Sequence, residues 1–271
     1  MNKLTILRAA VAVSMLAGAV VAAQAQARNW GSHVYSFADC DPSSSGAGQG
    51  PSSTNSCSSD EASARADTSF TSMKASVRVN AAAPAGDYLA GNIIQDALRA
   101  TATDSTLAGT AGVVRFSVAF DGQMSTQTDL YFVAQHAVAD PVYGSTNLTN
   151  LPVTSNLSGT PETAIVLRYR SWGDTSIDAV ASWELPVVFG ELATYQIGWS
   201  INAYAPNAAA DFSHTWTLVG LDAFDTQGQP VAAAFSASSG AVLPTSPVPE
   251  PQSLLLLLAG LGLLAGRLRR A

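Results

Sequence analysis

Ile177-Asp178-Ala179-Val180-Ala181-Ser182-Trp183-Glu184-Leu185-Pro186-Val187-Val188-Phe189 places an apolar side chain at every odd position. In extended chain successive side chains point to opposite faces, so this row lies on one face of a strand. Pro186 has no N–H to give to a ladder, which assigns the run to an edge strand or a bulge. The same period-2 signal recurs on both sides. Val114, Phe116, Val118 and Phe120 alternate with Arg115, Ser117 and Ala119. Leu130, Phe132, Ala134 and Val138 follow, and Ile165, Leu167 and Tyr169 oppose Arg168 and Arg170. Tyr195, Ile197, Trp199, Ile201 and Ala203 oppose Gln196, Ser200 and Asn202, and Phe212 to Phe224 reads as the last long strand.

Upstream, Trp30 to Phe37 reads as a short first strand. Ala62 to Asn80 alternates, with Met73, Ala75, Val77 and Val79 on one face. Asp87 to Arg99 fits helix and strand about equally, and is read as strand from Ile93 onward. Asp121-Gly122, Ser171-Trp172-Gly173-Asp174 and Asp225-Thr226-Gln227-Gly228 are read as turns. Asp41 to Asp60 and Asp140 to Pro161 are read as polar loops, and Ala232 to Ser246 as a linker. Many alternating strands with no convincing helix predict an all-β domain. Two antiparallel sheets packed face to face, jelly-roll-like, are expected, with a barrel as the alternative.

The chain has 271 residues and a formal net charge of −7. Five of its 13 Lys and Arg residues (Lys3, Arg8, Arg267, Arg269, Arg270) lie in the flanking segments, so the body is more acidic still. Such a body repels polyanions, and no nucleic-acid partner is expected. Cys40 and Cys57 flank a stretch rich in Ser and Gly. In an oxidising compartment they would pair, closing a loop for about 3 kcal/mol in the chain-entropy model.

No catalytic or metal site emerges, and no cofactor is expected. His33, His136 and His214 are far apart, and neither H-E-x-x-H nor G-x-S-x-G occurs. Ser213 and His214 are adjacent on a strand and face opposite ways, which excludes a triad with Asp211. Glu162, Glu184 and Glu191 lack a spacing that argues for a glycosidase pair. Asp39-Cys40-Asp41, and Asp222 with Asp225, complete no calcium loop. Trp183 and Trp199 sit in apolar rows and belong to the core. Trp172, in a turn, is the candidate for an exposed ring that stacks on a glycan. Asn147-Leu148-Thr149 and Asn156-Leu157-Ser158 mark surface loops.

The two flanks carry handling signals. Lys3 and Arg8 precede an apolar stretch, Ala9 to Ala23, and Ala23-Gln24-Ala25 and Ala25-Gln26-Ala27 are A-x-A cleavage sites. Residues 1–27 therefore read as a signal peptide, leaving 28–246 as one extracellular domain and 247–271 as a tail. In the tail, Val248-Pro249-Glu250-Pro251 is held extended by its prolines. An uncharged Leu-rich run follows, shorter than the roughly 20 residues of a membrane-spanning helix. Arg267, Arg269 and Arg270 form a stop that stays cytoplasmic. This order resembles the PEP-CTERM sorting domain of Gram-negative bacteria. The resemblance implies an exported substrate of the membrane protease-transpeptidase exosortase. Its hosts typically make extracellular polysaccharide or biofilm matrix. The expectation is an exported, non-enzymatic surface or matrix protein with a membrane-anchored precursor. Its partners are the secretion machinery, signal peptidase and exosortase, with matrix polysaccharide as a further partner. A carbohydrate-binding module is the alternative.

Overall fold

The computed structural model describes residues 32–40, 46–139, 146–156 and 167–244. The signal segment 1–27, the tail 247–271 with its expected short apolar helix, and Trp30, Asp41 and Glu162 lie outside them. Among the described residues no helix is long and apolar enough to cross a membrane.

Among the described residues sixteen strands make two antiparallel sheets of eight. In chain order they are β1 (His33–Asp39), β2 (Gly46–Gly50), β3 (Ser52–Ser58), β4 (Ala62–Ser69), β5 (Ser72–Val79), β6 (Tyr88–Ala102), β7 (Ala111–Met124) and β8 (Thr128–Ala139). Then come β9 (Thr146–Leu151), β10 (Val153–Ser155), β11 (Leu167–Ser171), β12 (Thr175–Val188), β13 (Leu192–Ala203), β14 (Ala209–Asp225), β15 (Pro230–Val231) and β16 (Ala233–Ala237). The first sheet runs β11-β8-β13-β6-β1-β2, with β9 also on β8 and β16 also on β6. The second runs β10-β12-β7-β14-β5-β4-β3, with β15 on β14. From β5 to β8 and again from β11 to β14 each strand crosses to the opposite sheet, giving the jelly-roll-like sandwich that the alternation predicts.

The inward rows meet between the sheets. Trp183 of β12 stacks on Phe116 of β7 at 5.0 Å, and Phe132 of β8, in the facing sheet, lies 5.4 Å from Trp183. Trp199 of β13 meets Phe212 of β14 edge-on at 5.5 Å. All these rings are buried, each worth about 1.5–3 kcal/mol of apolar transfer. Trp183 and Trp199 are thus core residues. The Cys40–Cys57 disulfide forms, joining the end of β1 to β3 across the two sheets. Beside it a buried polar seam crosses the same gap. Ser36 Oγ contacts Thr68 Oγ1 at 2.7 Å and donates to the Ser53 carbonyl at 2.9 Å. Thr68 Oγ1 bonds Asn92 Oδ1, and Asn92 Nδ2 donates to the Lys74 carbonyl at 2.9 Å.

Several local expectations are corrected. Asp121-Gly122 is not a turn: β7 runs on to Met124, pairing Asp121 with Asp178 and Gly122 with Ile177. The glycine serves close packing instead, since a Cβ there would lie 2.6 Å from the Asp211 carbonyl oxygen. The chain turns at Ser125–Gln127, where Gln127 takes φ 57°. Ala62 to Asn80 is a hairpin, β4–β5, whose tight turn lets Ser69 Oγ accept from Ser72 N–H at 3.1 Å. Asp41–Asp60 contains β2 and β3, and Asp140–Pro161 contains β9 and β10. These are outer strands held by backbone ladders, so they need little apolar alternation. β6 begins at Tyr88 rather than Ile93. It is buried on both faces along most of its length, which removes the period-2 signal. Ala232–Ser246 is not simply a linker, because β16 pairs with Leu98–Ala102 of β6. Pro186 meets its expectation: it pairs with Val113 of β7, while β10 reaches only Ala181–Trp183 on the other side.

Candidate functional site

Trp172 sits in the crossing from β11 in the first sheet to β12 in the second, with its side chain 75% exposed. The turn beneath it is fixed by the neighbouring turn. Thr126 Oγ1 donates to the Trp172 carbonyl at 3.1 Å, and Gln127 N–H donates to the Ser171 carbonyl at 2.9 Å. Ser171 Oγ bonds the Gly173 carbonyl, closing the turn on itself. Nothing in this network touches the indole ring, so the backbone is held while the ring faces solvent.

A buried ion cluster lies next to the ring. β11 and β8 pair with Arg170 opposite Asp129 and Arg168 opposite Tyr131, so the outward period-2 positions bring the cluster together. Asp129 is fully buried and accepts from Arg168 Nη2 at 2.7 Å and from Arg170 Nε and Nη2 at 2.6 Å each. Tyr131 and Tyr204 hydroxyls donate to Asp129 Oδ2 at 3.0 and 3.2 Å. Burial pushes the Asp129 carboxyl up, but the hydrogen bonds and charges of Arg170 and Arg168 outweigh it, and the carboxyl is held below its ordinary range. Burial, then the Asp129 charge, pushes both tyrosine hydroxyls up, so they remain protonated donors. The Arg170 guanidinium lies 5.5 Å from the centre of the Trp172 ring, within cation–π range. Sequence reasoning singled out Trp172 but missed Asp129. Its signal was a lone acid at the start of β8 facing the two arginines of β11, a pairing that needs the register.

The cluster offers an exposed ring beside a fixed guanidinium, a surface on which a sugar ring can stack and be hydrogen-bonded. It offers no poised acid or base, because its carboxylate is saturated with donors. A shallow groove of about 460 Å³ lies on the outer face of the second sheet. Ser58, Ser63, Ser76, Arg65, Arg78 and Asp211 line it, and Arg65 is already paired to Asp67 at 2.8 Å.

The remaining candidates are not brought together. Glu184 pairs with Arg115 at 2.6 Å on the outer face. Glu191 is exposed in the turn after β12. His136 is half-buried on β8, where burial lowers its pKa, and His33 packs beside Tyr35 on β1. The His214 and Asn147 side chains lie outside the described residues. Asp225 Oδ1 accepts from Gln227 and Gln229 N–H at 2.8 Å each, as a turn residue does. Asp39 is buried at the end of β1, on the sheet opposite Asp222 and Asp225. Asn156 Oδ1 caps the Val180 N–H of β12 at 2.8 Å. Among the described residues no three His, Cys, Asp or Glu side chains are grouped to hold a metal.

No curated protein and no solved structure matches the chain. The family model of the PEP-CTERM protein-sorting motif matches residues 247–271. The match covers Val248, Pro249, Glu250 and Pro251, the Leu-rich run, and Arg267, Arg269 and Arg270. The motif marks an exported protein with a membrane-anchored precursor at the cell envelope and an exosortase as its processing partner. This chain therefore carries a PEP-CTERM protein-sorting motif on a two-sheet β-sandwich body.

Proposed function

We propose that the body is a non-enzymatic component of the cell surface or extracellular matrix of a Gram-negative bacterium. The secretion machinery exports it, signal peptidase trims it within the first 27 residues, and an exosortase cleaves it near Pro249-Glu250-Pro251. The observation that carries the reading is the sorting motif at residues 247–271. The body supports it in that its conspicuous carboxylates serve as ion-pair and turn partners: Asp129 with two arginines, Glu184 with Arg115, Asp225 with its turn. Deleting the chain in its native cells should alter the matrix, and the purified body should turn over no member of a polysaccharide panel. Turnover lost in Glu191→Gln would overturn the non-enzymatic reading.

A second reading has its own observation. The exposed Trp172 ring, with Arg170 held beside it, is built as a platform for matrix polysaccharide. On a glycan array, Trp172→Ala should abolish binding while costing no more stability than its contact with Arg170, about 0.5–1 kcal/mol. Binding that survives the substitution sinks this reading.

A further inference from the structure

Gln127 is held in the left-handed region, with φ 57°. Residues other than glycine avoid that region because their Cβ crowds the next carbonyl, and only Asn and Asp join glycine there routinely. The turns at the opposite end of the sandwich meet the same demand with glycine: Gly109 before β7, Gly190 before β13 and Gly228 before β15 all take positive φ. Among the described residues the one other non-glycine in this region is Asn207, of a type that tolerates it. Gln127 gives the fold no side-chain bond in return. Its side chain is exposed and makes no hydrogen bond among the described residues. A polar side chain kept at a strained position, with no partner in the body, points to a partner outside it.

The backbone places that residue. Ser171 pairs with Thr128, and Thr128 with Ala203. The next row outward is Trp172, Gln127 and Tyr204, and two hydrogen bonds extend the ladder to it. Gln127 N–H donates to the Ser171 carbonyl at 2.9 Å, and Tyr204 N–H donates to the Gln127 carbonyl at 3.1 Å. The same two bonds hold the strained φ in place. Adding the covalent links on either side of the first bond puts the Cα atoms of Gln127 and Trp172 at most about 7 Å apart. Gln127 thus stands in the row between the exposed indole and Tyr204, whose ring is 6.0 Å from the Arg170 guanidinium.

The charge around this row is balanced. Arg170 is matched to Asp129, and Asp174 lies in the same turn as Trp172. What Gln127 adds is neutral: one carboxamide carries an acceptor oxygen and two N–H donors. Adjacent sugar hydroxyls match it, one donating to Oε1 and its neighbour accepting from Nε2. We infer that Gln127 is a specificity-determining contact of the Trp172 platform, and that the platform's ligand is a neutral hexose polysaccharide with adjacent free hydroxyls. The inference rests on the glycan-platform reading and adds the ligand class to it.

The test applies the full chain, in mild detergent, to an array of neutral hexose and uronate-containing oligosaccharides and then titrates the strongest hit. Gln127→Gly should weaken binding ~10-fold, the worth of two net hydrogen bonds. Its Tm should hold or rise, because glycine relieves the strain. Gln127→Ala keeps the strained backbone and should weaken binding as much. Loss in the glycine variant alone makes turn rigidity the cause and overturns the role of the amide, as does wild-type affinity in both variants. A lower Tm for Gln127→Gly shows that the side chain serves the fold and overturns the argument from strain. Hits confined to uronate-containing glycans overturn the ligand class. Wild type that binds no glycan, or binding that survives Trp172→Ala, overturns the platform reading itself and this inference with it.

Discussion

Replacing Asp129 by Asn keeps the shape of the side chain and removes its charge. Two guanidinium groups depend on that charge: Arg168, 7% exposed, and Arg170, 28% exposed. The carboxamide accepts through one oxygen where the carboxylate accepts through two, so at least one cation is left buried beside an N–H donor. Breaking a buried pair by removing one partner costs about 3–5 kcal/mol. For a body of this size about 2–4 °C of Tm accompanies each kcal/mol, so a drop of about 6 °C or more is expected. The pH dependence gives a second constraint. The folded carboxyl is held below its unfolded value of about 3.9, so its contribution is fully present above that pH and is lost as pH falls through the folded value. Wild type and Asp129→Asn should therefore differ most near neutrality and converge as pH is lowered below ~4. Urea unfolding followed by tryptophan fluorescence at neutral and acid pH reads both. A loss under ~1 kcal/mol at neutral pH, or a gap that does not narrow with acid, refutes the assignment of the cluster as a stabilising buried ion network.

Three further outcomes follow from single contacts. Reducing Cys40–Cys57 releases a loop with a sequence separation of 17 and should cost about 3 kcal/mol, read as a lower urea midpoint; an unchanged midpoint contradicts it. Gly91→Ala puts a Cβ 2.4 Å from Phe37 Cζ and 2.8 Å from the Trp199 carbonyl oxygen, and should cost about 1–3 kcal/mol of overpacking in a thermal melt. Gly173→Ala meets nothing within 4 Å and serves as the neutral control in the same melt.

The architecture was legible where one face of a strand is wet. β7, β12 and the inward row of β13 alternate cleanly, and their pattern predicts strand and core together. It was illegible where that condition fails. β6 is covered on both faces, so Leu89, Ile93 and Ala97 imitate a helix. β2 and β3 have almost no apolar content, because outer strands are held by backbone hydrogen bonds whatever their side chains. Gly122 reads as a turn because sequence cannot separate a glycine needed for positive φ from one needed for close packing. The cross-sheet pairing of Cys40 with Cys57 followed from composition and compartment. The seam of Ser36, Thr68 and Asn92 did not, since Ser36 and Asn92 are 56 positions apart and meet only through the β1–β6 register, while Thr68 reaches them from the facing sheet. At the candidate site the ring was legible as a turn tryptophan. The ion cluster that flanks it needed the β8–β11 register.

The central claim is that residues 247–271 are a sorting signal read through Pro249-Glu250-Pro251. Its most direct test is the intact mass of the protein recovered from outside its native cells, beside a variant carrying Pro249→Ala, Glu250→Ala and Pro251→Ala. The account predicts a native form lacking both the signal segment and the Leu-rich tail, and a variant that keeps its tail and stays in the membrane fraction. Native and variant proteins that both keep the tail and distribute alike would contradict it.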